Sequence, residues 1–214
     1  MLSRHTPGAG SEAGFSLVEL LIAMGLMSLL FGSFAALGSL MTSRDATMTR
    51  QAYLSTQGRA AIDTLSGALE SAMCNGTTQP ITSATPTQVQ FFSPDRLQPF
   101  HLMQITYSLS GGVFSRQVAA STNTNGPPWT MGAAGGAFPV VASVVNTAVF
   151  KYYDSSGTDL SPAGAALTSV QLPKVARVTA TLTLTPLASR GVGSLTTQGS
   201  ATVRTWTTQQ ACVQ

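Results

Sequence analysis

The sequence predicts an α+β protein: a long N-terminal helix, transmembrane in its first half and amphipathic in its second, packed on an antiparallel β-sheet head. Three observations lead there. An apolar run covers residues 15–41 and contains a single charged residue, Glu19. Helical spacing of apolar residues then persists to about position 74, with no proline between Phe15 and Gln79. Beyond it, short stretches alternate apolar and polar residues between breaks rich in Gly, Pro and Asn, the period-two pattern of half-buried strands.

At about 1.5 Å per residue, the apolar run makes a helix long enough to cross a bilayer core of ~30 Å. Residues 1–14 before it are polar, rich in Gly and Ser, and carry Arg4, His5 and Glu12. A secretory signal would have a core of about 7–15 apolar residues with a small-residue cleavage site after it. Here the run is longer and the small-residue junction comes first. A plain anchor fits the length but gives no reason for Glu19, and an ionisable group in a membrane segment marks a functional position by default. Arg4 and His5 precede the run while Arg44 and Arg50 follow it, so flanking charge does not set the orientation.

The stretch Gly14-Phe15-Ser16-Leu17-Val18-Glu19-Leu20-Leu21-Ile22 closely resembles the prepilin cleavage motif of type IV pilins and type II secretion pseudopilins. That family pattern is a Gly, a Phe, three mostly apolar or small residues, a Glu and a long apolar helix. The resemblance implies that a membrane prepilin peptidase cuts between Gly14 and Phe15 on the cytoplasmic side and then N-methylates the new terminus at Phe15. It also implies other pilin or pseudopilin subunits and an inner-membrane assembly platform as partners. The head would lie outside the cytoplasm on a single-pass inner-membrane anchor before assembly into a pilus or pseudopilus. Physical reasoning adds a role for Glu19. In a stack of helices offset by a few residues, its carboxylate can meet the Phe15 ammonium of a neighbour, each offsetting the other's desolvation and setting the axial register.

Past Met41, the residues Leu54, Ala61, Leu65, Ala68 and Ala72, with Ile62, Leu69 and Met73, recur at three- and four-residue intervals. Arg59, Asp63, Ser66 and Glu70 take much of the other face, and Asn75-Gly76 supplies a stop. The spacing predicts one nearly continuous helix over 15–74, about 90 Å long. Many major pilins have a proline roughly twenty residues into the mature chain; this chain has none nearby, which favours a minor pilin or pseudopilin.

In the head, Val89 and Phe91 mark one strand, and Ile105, Tyr107 and Leu109 another, turning through Ser110-Gly111-Gly112 into a third at 113–119. Residues 122–138 read as a long surface loop. Further strands are expected over 144–153, over 175–184 with Ala176, Val178, Ala180, Leu182 and Leu184 on one face, and around 201–206. Together they predict a single antiparallel sheet with one face on the helix and one polar. Arg59-Ala60-Ala61-Ile62-Asp63-Thr64-Leu65, Phe150-Lys151-Tyr152-Tyr153-Asp154 with Gly157, and Val203-Arg204 loosely resemble the PilW-like and J-type minor pilins and pseudopilins. The implied organisation is a leader at 1–14, a transmembrane or filament-core helix at 15–42, an amphipathic helix at 43–74 and a β-rich head at 75–214.

Composition narrows the chemistry. Charged residues are 9% of the chain, against about 25% in average soluble proteins, with Ser, Thr, Gln, Asn and Gly in their place. The net charge of +3 is spread thinly, so no stripe tracks a phosphate backbone and charge gives no ground for a nucleic-acid partner, which only the DNA-uptake and DNA-receptor readings leave open. Cys74 and Cys212 can form one disulfide tying the end of the chain to the top of the helix, or remain two buried thiols. Asp154 and Asp159 flank a Gly turn without the ligand series of an EF-hand, so a solvated turn is favoured over a calcium site. Asn75-Gly76-Thr77 reads as a chance sequon at a helix stop. His101 is the one His beyond the leader, Trp129 reads as a loop anchor, and no P-loop, HExxH or nucleophile elbow occurs. We therefore expect no catalytic residues, metal or cofactor. The expected function is a structural minor pilin or pseudopilin in pilus biogenesis, adhesion or motility, DNA uptake or secretion. The competing expectation is a membrane-anchored extracytoplasmic binding module, adhesin or DNA receptor, that does not polymerise.

Overall fold

The computed structural model describes residues 16–95, 97, 99–123, 126–162, 164–185, 193–203 and 212, with the backbone alone at positions 43 and 46. The fold is α+β: one long helix followed by antiparallel strands. Two compact units divide it, Met1–Ala46 and Thr47–Gln214.

Helix α1 spans Leu17–Glu70, with no proline to interrupt its i→i−4 bonding. In the first unit its described side chains are exposed, Leu17 at 75% and Phe31 at 70%. In the second unit it becomes amphipathic. Ala61, Ile62, Leu65, Leu69 and Ala72 are buried, while Arg59, Asp63 and Glu70 face solvent.

The helix ends at Glu70 rather than at the expected 74. Ala72 N–H tightens onto Leu69 O at 3.0 Å, and Met73 N–H is taken by Phe92 O in the sheet at 3.0 Å. An acceptor in a strand thus captures the backbone before Asn75-Gly76 is reached; Gly76 then turns the chain with φ +60.

Among the described residues the head holds two sheets, where the sequence pattern predicts one. The first runs in simple order through β1 (Ile81–Ala84), β2 (Gln88–Pro94), β3 (Leu102–Ser110), β4 (Val113–Ala120) and β5 (Phe138–Val141). The second is β6 (Phe150–Tyr153), β7 (Arg177–Leu184) and β8 (Leu195–Thr202). Both contribute to a single core with the helix, including Val89, Phe91, Tyr107 and Phe114 from the first sheet and Tyr152, Val178 and Leu182 from the second. Phe114 and Phe150 meet across the sheets, ring centroids 6.1 Å apart.

The β3–β4 hairpin forms where expected. Gly111 and Gly112 have φ +56 and +74, the conformation a two-residue primed turn demands and Gly alone supplies cheaply. Strand β7 buries Val178, Ala180, Leu182 and Leu184, continuing from buried Ala176, as its alternation predicts. Other boundaries move. Of the expected strand over 144–153 only β6 is a strand, with Val144 making an isolated bridge to Leu184. Strand β5 begins at Phe138, the end of the expected loop, and β8 begins at Leu195, earlier than 201. Strand β1 has no counterpart in the sequence pattern. Residues 204–206 of the expected final strand lie outside the described residues.

The helix approaches the second sheet closely at two glycines. A Cβ at Gly58 would meet Thr197 Oγ1 at 3.0 Å and Leu184 Cδ1 at 3.1 Å, and one at Gly199 would run into Ile62 Cγ2. Side chains there would separate α1 from β8.

Candidate assembly site

The proposed junction Gly14-Phe15 and the leader residues Arg4, His5 and Glu12 lie outside the described residues. Immediately after them, Ser16 O accepts the amides of Glu19 and Leu20 at 3.0 and 3.1 Å, closing the first turn of α1. Glu19 stands exposed in that turn, where unsatisfied N–H groups and the helix dipole favour a carboxylate.

Following Glu19, α1 is the one helix among the described residues long and apolar enough to cross a membrane. Its hydroxyls do not break the apolar surface. Ser28, Ser33 and Ser39 donate to the carbonyls of Gly25, Leu30 and Ala36 at 2.8, 2.7 and 2.8 Å, and Thr42 donates to Gly38 O at 2.6 Å. Each polar group is satisfied within its own helix, the condition for entering an apolar environment at low cost. Gly25, Gly32 and Gly38 have no atom within 4 Å of where a Cβ would stand.

At the other end of α1, the sulfurs of Cys74 and Cys212 lie at bonding distance, 1.98 Å, with Cα atoms 5.6 Å apart. Next to Cys74, Asn75 clamps the distant loop: its amide donates to Trp129 O at 2.8 Å and its Oδ1 accepts from Trp129 N–H at 2.6 Å. Both polar ends of this buried side chain are engaged, so Asn75 serves as a loop clamp. Trp129 is half-buried and packs on Phe100 at 5.6 Å between ring centroids. His101 Nδ1 sits 3.1 Å from Ser121 O, a structural contact beside the same loop.

The Asp154 turn is satisfied from within. Its Oδ1 accepts from Ser156 Oγ at 2.7 Å, Thr158 N–H at 2.8 Å and Ser156 N–H at 2.9 Å. These bonds, the Ser156 hydroxyl foremost, hold the carboxyl below its ordinary value. Asp159 accepts from Ser161 N–H at 2.8 Å. Among the described residues, no group of three or more metal-binding side chains assembles.

Sequence reasoning missed three features: the Gly58 and Gly199 approaches, the Asn75 clamp, and a polar couple, Tyr107 with Arg116, on the first sheet. The first two join residues far apart in the chain, and the third lies across one hairpin. The available signals, a Gly within an amphipathic helix and an Arg among inward strand positions, point to no partner on their own.

Residues 10–35 match the family model described as the prokaryotic N-terminal methylation motif, the type IV prepilin signal. The match takes in Gly14, Phe15, Glu19 and the start of the apolar helix. No curated protein matches the chain. The N-terminal apolar helix fits a pilin-like protein, in which such helices anchor the subunit in the membrane.

Proposed function

We propose that this pilin-like chain is a structural minor pilin or pseudopilin, cut between Gly14 and Phe15, N-methylated at Phe15 and built into a filament through α1. The observation that carries the reading is the methylation motif at 10–35 leading into a helix whose apolar side chains from Leu17 to Met41 stand exposed. An apolar surface of that size needs lipid or other subunits around it. Those two environments correspond to waiting in the inner membrane and packing in a filament. The proposed partners are other pilin or pseudopilin subunits, the prepilin peptidase and the assembly platform. The chain's part is structural, as in proteins carrying this motif.

In the filament, Glu19 pairs with the Phe15 ammonium of a neighbouring subunit and fixes the axial step. The Cys74–Cys212 bridge closes the head against the end of the helix. Mass spectrometry of the native protein tests the processing. A terminus at N-methylated Phe15 is expected; an intact Met1 would leave a membrane-anchored module that never polymerises, and cleavage beyond the apolar run would point to an ordinary secreted protein.

A further inference from the structure

A cavity of about 400 Å³ opens between α1 and the chain that follows β5. One wall is a stripe of α1, where Thr49, Tyr53 and Gln57 recur every four residues on one face with Leu54 beside them. The other wall is Ala142 and Ser143. These residues all belong to the second unit. Tyr53 is 62% exposed and Ala142 is exposed too, so the cavity is a groove that a partner can enter from solvent.

The wall opposite α1 is built in advance. Ala142 and Ser143 carry the chain from the first sheet to the second: Val141 pairs with Phe114, and Val144 bridges to Leu184. Ser143 O accepts Thr185 N–H at 3.0 Å, and Val144 N–H donates to Gly112 O at 2.9 Å. Ser143 itself has φ +66, the one positive φ outside glycine among the described residues. A non-Gly residue is held in that conformation only where its surroundings over-determine it, and such positions gather at functional sites.

The lining calls for an apolar occupant. Gln57 Nε2 donates to Tyr53 Oη at 2.7 Å, so these two polar ends engage one another, and Arg50 beside them is engaged within the chain as well. Leu54 packs on the core at the same place. An apolar cavity of about 150 Å³ holds one benzene, so this one has room for about two or three apolar side chains. Two turns of an apolar helix deliver that number at i, i+3 or i+4, and i+7. This chain carries such a helix. No charged residue lies between Glu19 and Arg44, and Leu26, Leu30, Phe34 and Leu37, spaced three and four apart, are each more than half exposed.

We infer that the groove between Tyr53 and Ser143 seats the apolar stretch of α1, within residues 20–41, from a second copy of this chain. Groove and stretch are different surfaces, so a copy that offers its helix still has its own groove open for the next. A heterologous contact of this kind repeats into a ring or an open helical filament instead of closing as a two-fold dimer. The inference rests on the filament reading above and adds to it a partner and a seat.

The test uses cells that make two forms of the full chain, one with photoreactive benzoylphenylalanine at position 53 and one with a C-terminal affinity tag. Sheared filaments are irradiated and digested, and cross-linked peptides are identified by mass spectrometry. The expected product joins position 53 to a peptide within residues 20–41 of the tagged copy. Ala142→Trp, which fills the groove from an exposed position, should lower recovery of the chain in sheared filaments about fivefold or more, with the melting temperature of the head unchanged. Ser143→Gly, which relieves the backbone and keeps the groove, should retain the cross-link. Filaments that contain the chain but link position 53 only to lipid, to its own chain or to a different subunit would overturn this seat and leave the filament reading standing. Undiminished recovery of a folded Ala142→Trp would do the same, and the cross-link decides whether or not that variant folds. Absence of the chain from sheared filaments would remove the filament reading, and this seat with it.

Discussion

At the scale of single residues, the chain depends on a few groups whose surroundings leave no slack. Gly199 is the sharpest, since any side chain there meets Ile62. Gly199→Val should lower head stability by about 1–3 kcal/mol in urea unfolding, and adding Ile62→Ala should cost less than the sum of the two single changes because both act on one contact. Tyr152 is buried, and its hydroxyl donates toward Thr85 O at 2.7 Å and Gln88 O at 2.9 Å. Burial, partly opposed by the Thr85 bond, raises its pKa well above the ordinary 10.0. The folded chain keeps the proton while the unfolded chain releases it near 10.0, so stability is intact below that pH and falls above it. The contribution should be about 1.4 kcal/mol per pH unit, and Tyr152→Phe should flatten the alkaline decline in pH-dependent denaturation. Glu19 answers to a different readout. Glu19→Ala should cut incorporation into sheared filaments while leaving cleavage after Gly14 largely intact, and normal incorporation would remove Glu19 from the proposed register contact.

At the scale of elements, α1 carries two kinds of surface on one regular backbone. From Gly58 to Ala72, small and apolar residues at helical spacing face the sheets, and the polar residues between them face water. Up to Met41 the apolar residues surround the helix and stay exposed, the pattern of a helix destined for an apolar environment. Truncation should separate the two. Leu65→Ala removes a 1% exposed side chain from the core and should cost about 2–5 kcal/mol in chemical denaturation. Leu29→Ala, at 73% exposure, should leave head unfolding within about 0.5 kcal/mol of wild type.

At the scale of the whole molecule, the last described residue, Cys212, is brought to Cys74, just past the end of α1, across a sequence separation of 138. Closing so long a loop restricts the unfolded chain by about 5 kcal/mol in the chain-entropy treatment, and strain or residual structure lowers the realised value. Replacing both cysteines by serine should therefore destabilise the head by about 2–5 kcal/mol under oxidising conditions. Under reducing conditions wild type and variant should converge, and an equal melting temperature in both conditions would argue that the sulfurs contribute nothing as a bridge.

Local pattern by itself determined the long N-terminal helix of this protein. The apolar run and the proline-free helical spacing are read from adjacent residues, and the methylation motif at 10–35 lies at their start. The Gly111-Gly112 hairpin and the alternation through β7 were legible for the same reason, since each is fixed by neighbours in sequence. Tertiary structure decided what depends on distant partners. It split one expected sheet into two and stopped α1 at Glu70 by giving Met73 N–H an acceptor on Phe92. It set Gly58 and Gly199 at the helix–sheet contact and brought Asn75 to the backbone of Trp129. Helix period and turn chemistry act over a few residues, whereas strand pairing and close approach are settled only when segments far apart in the chain compete for the same neighbours.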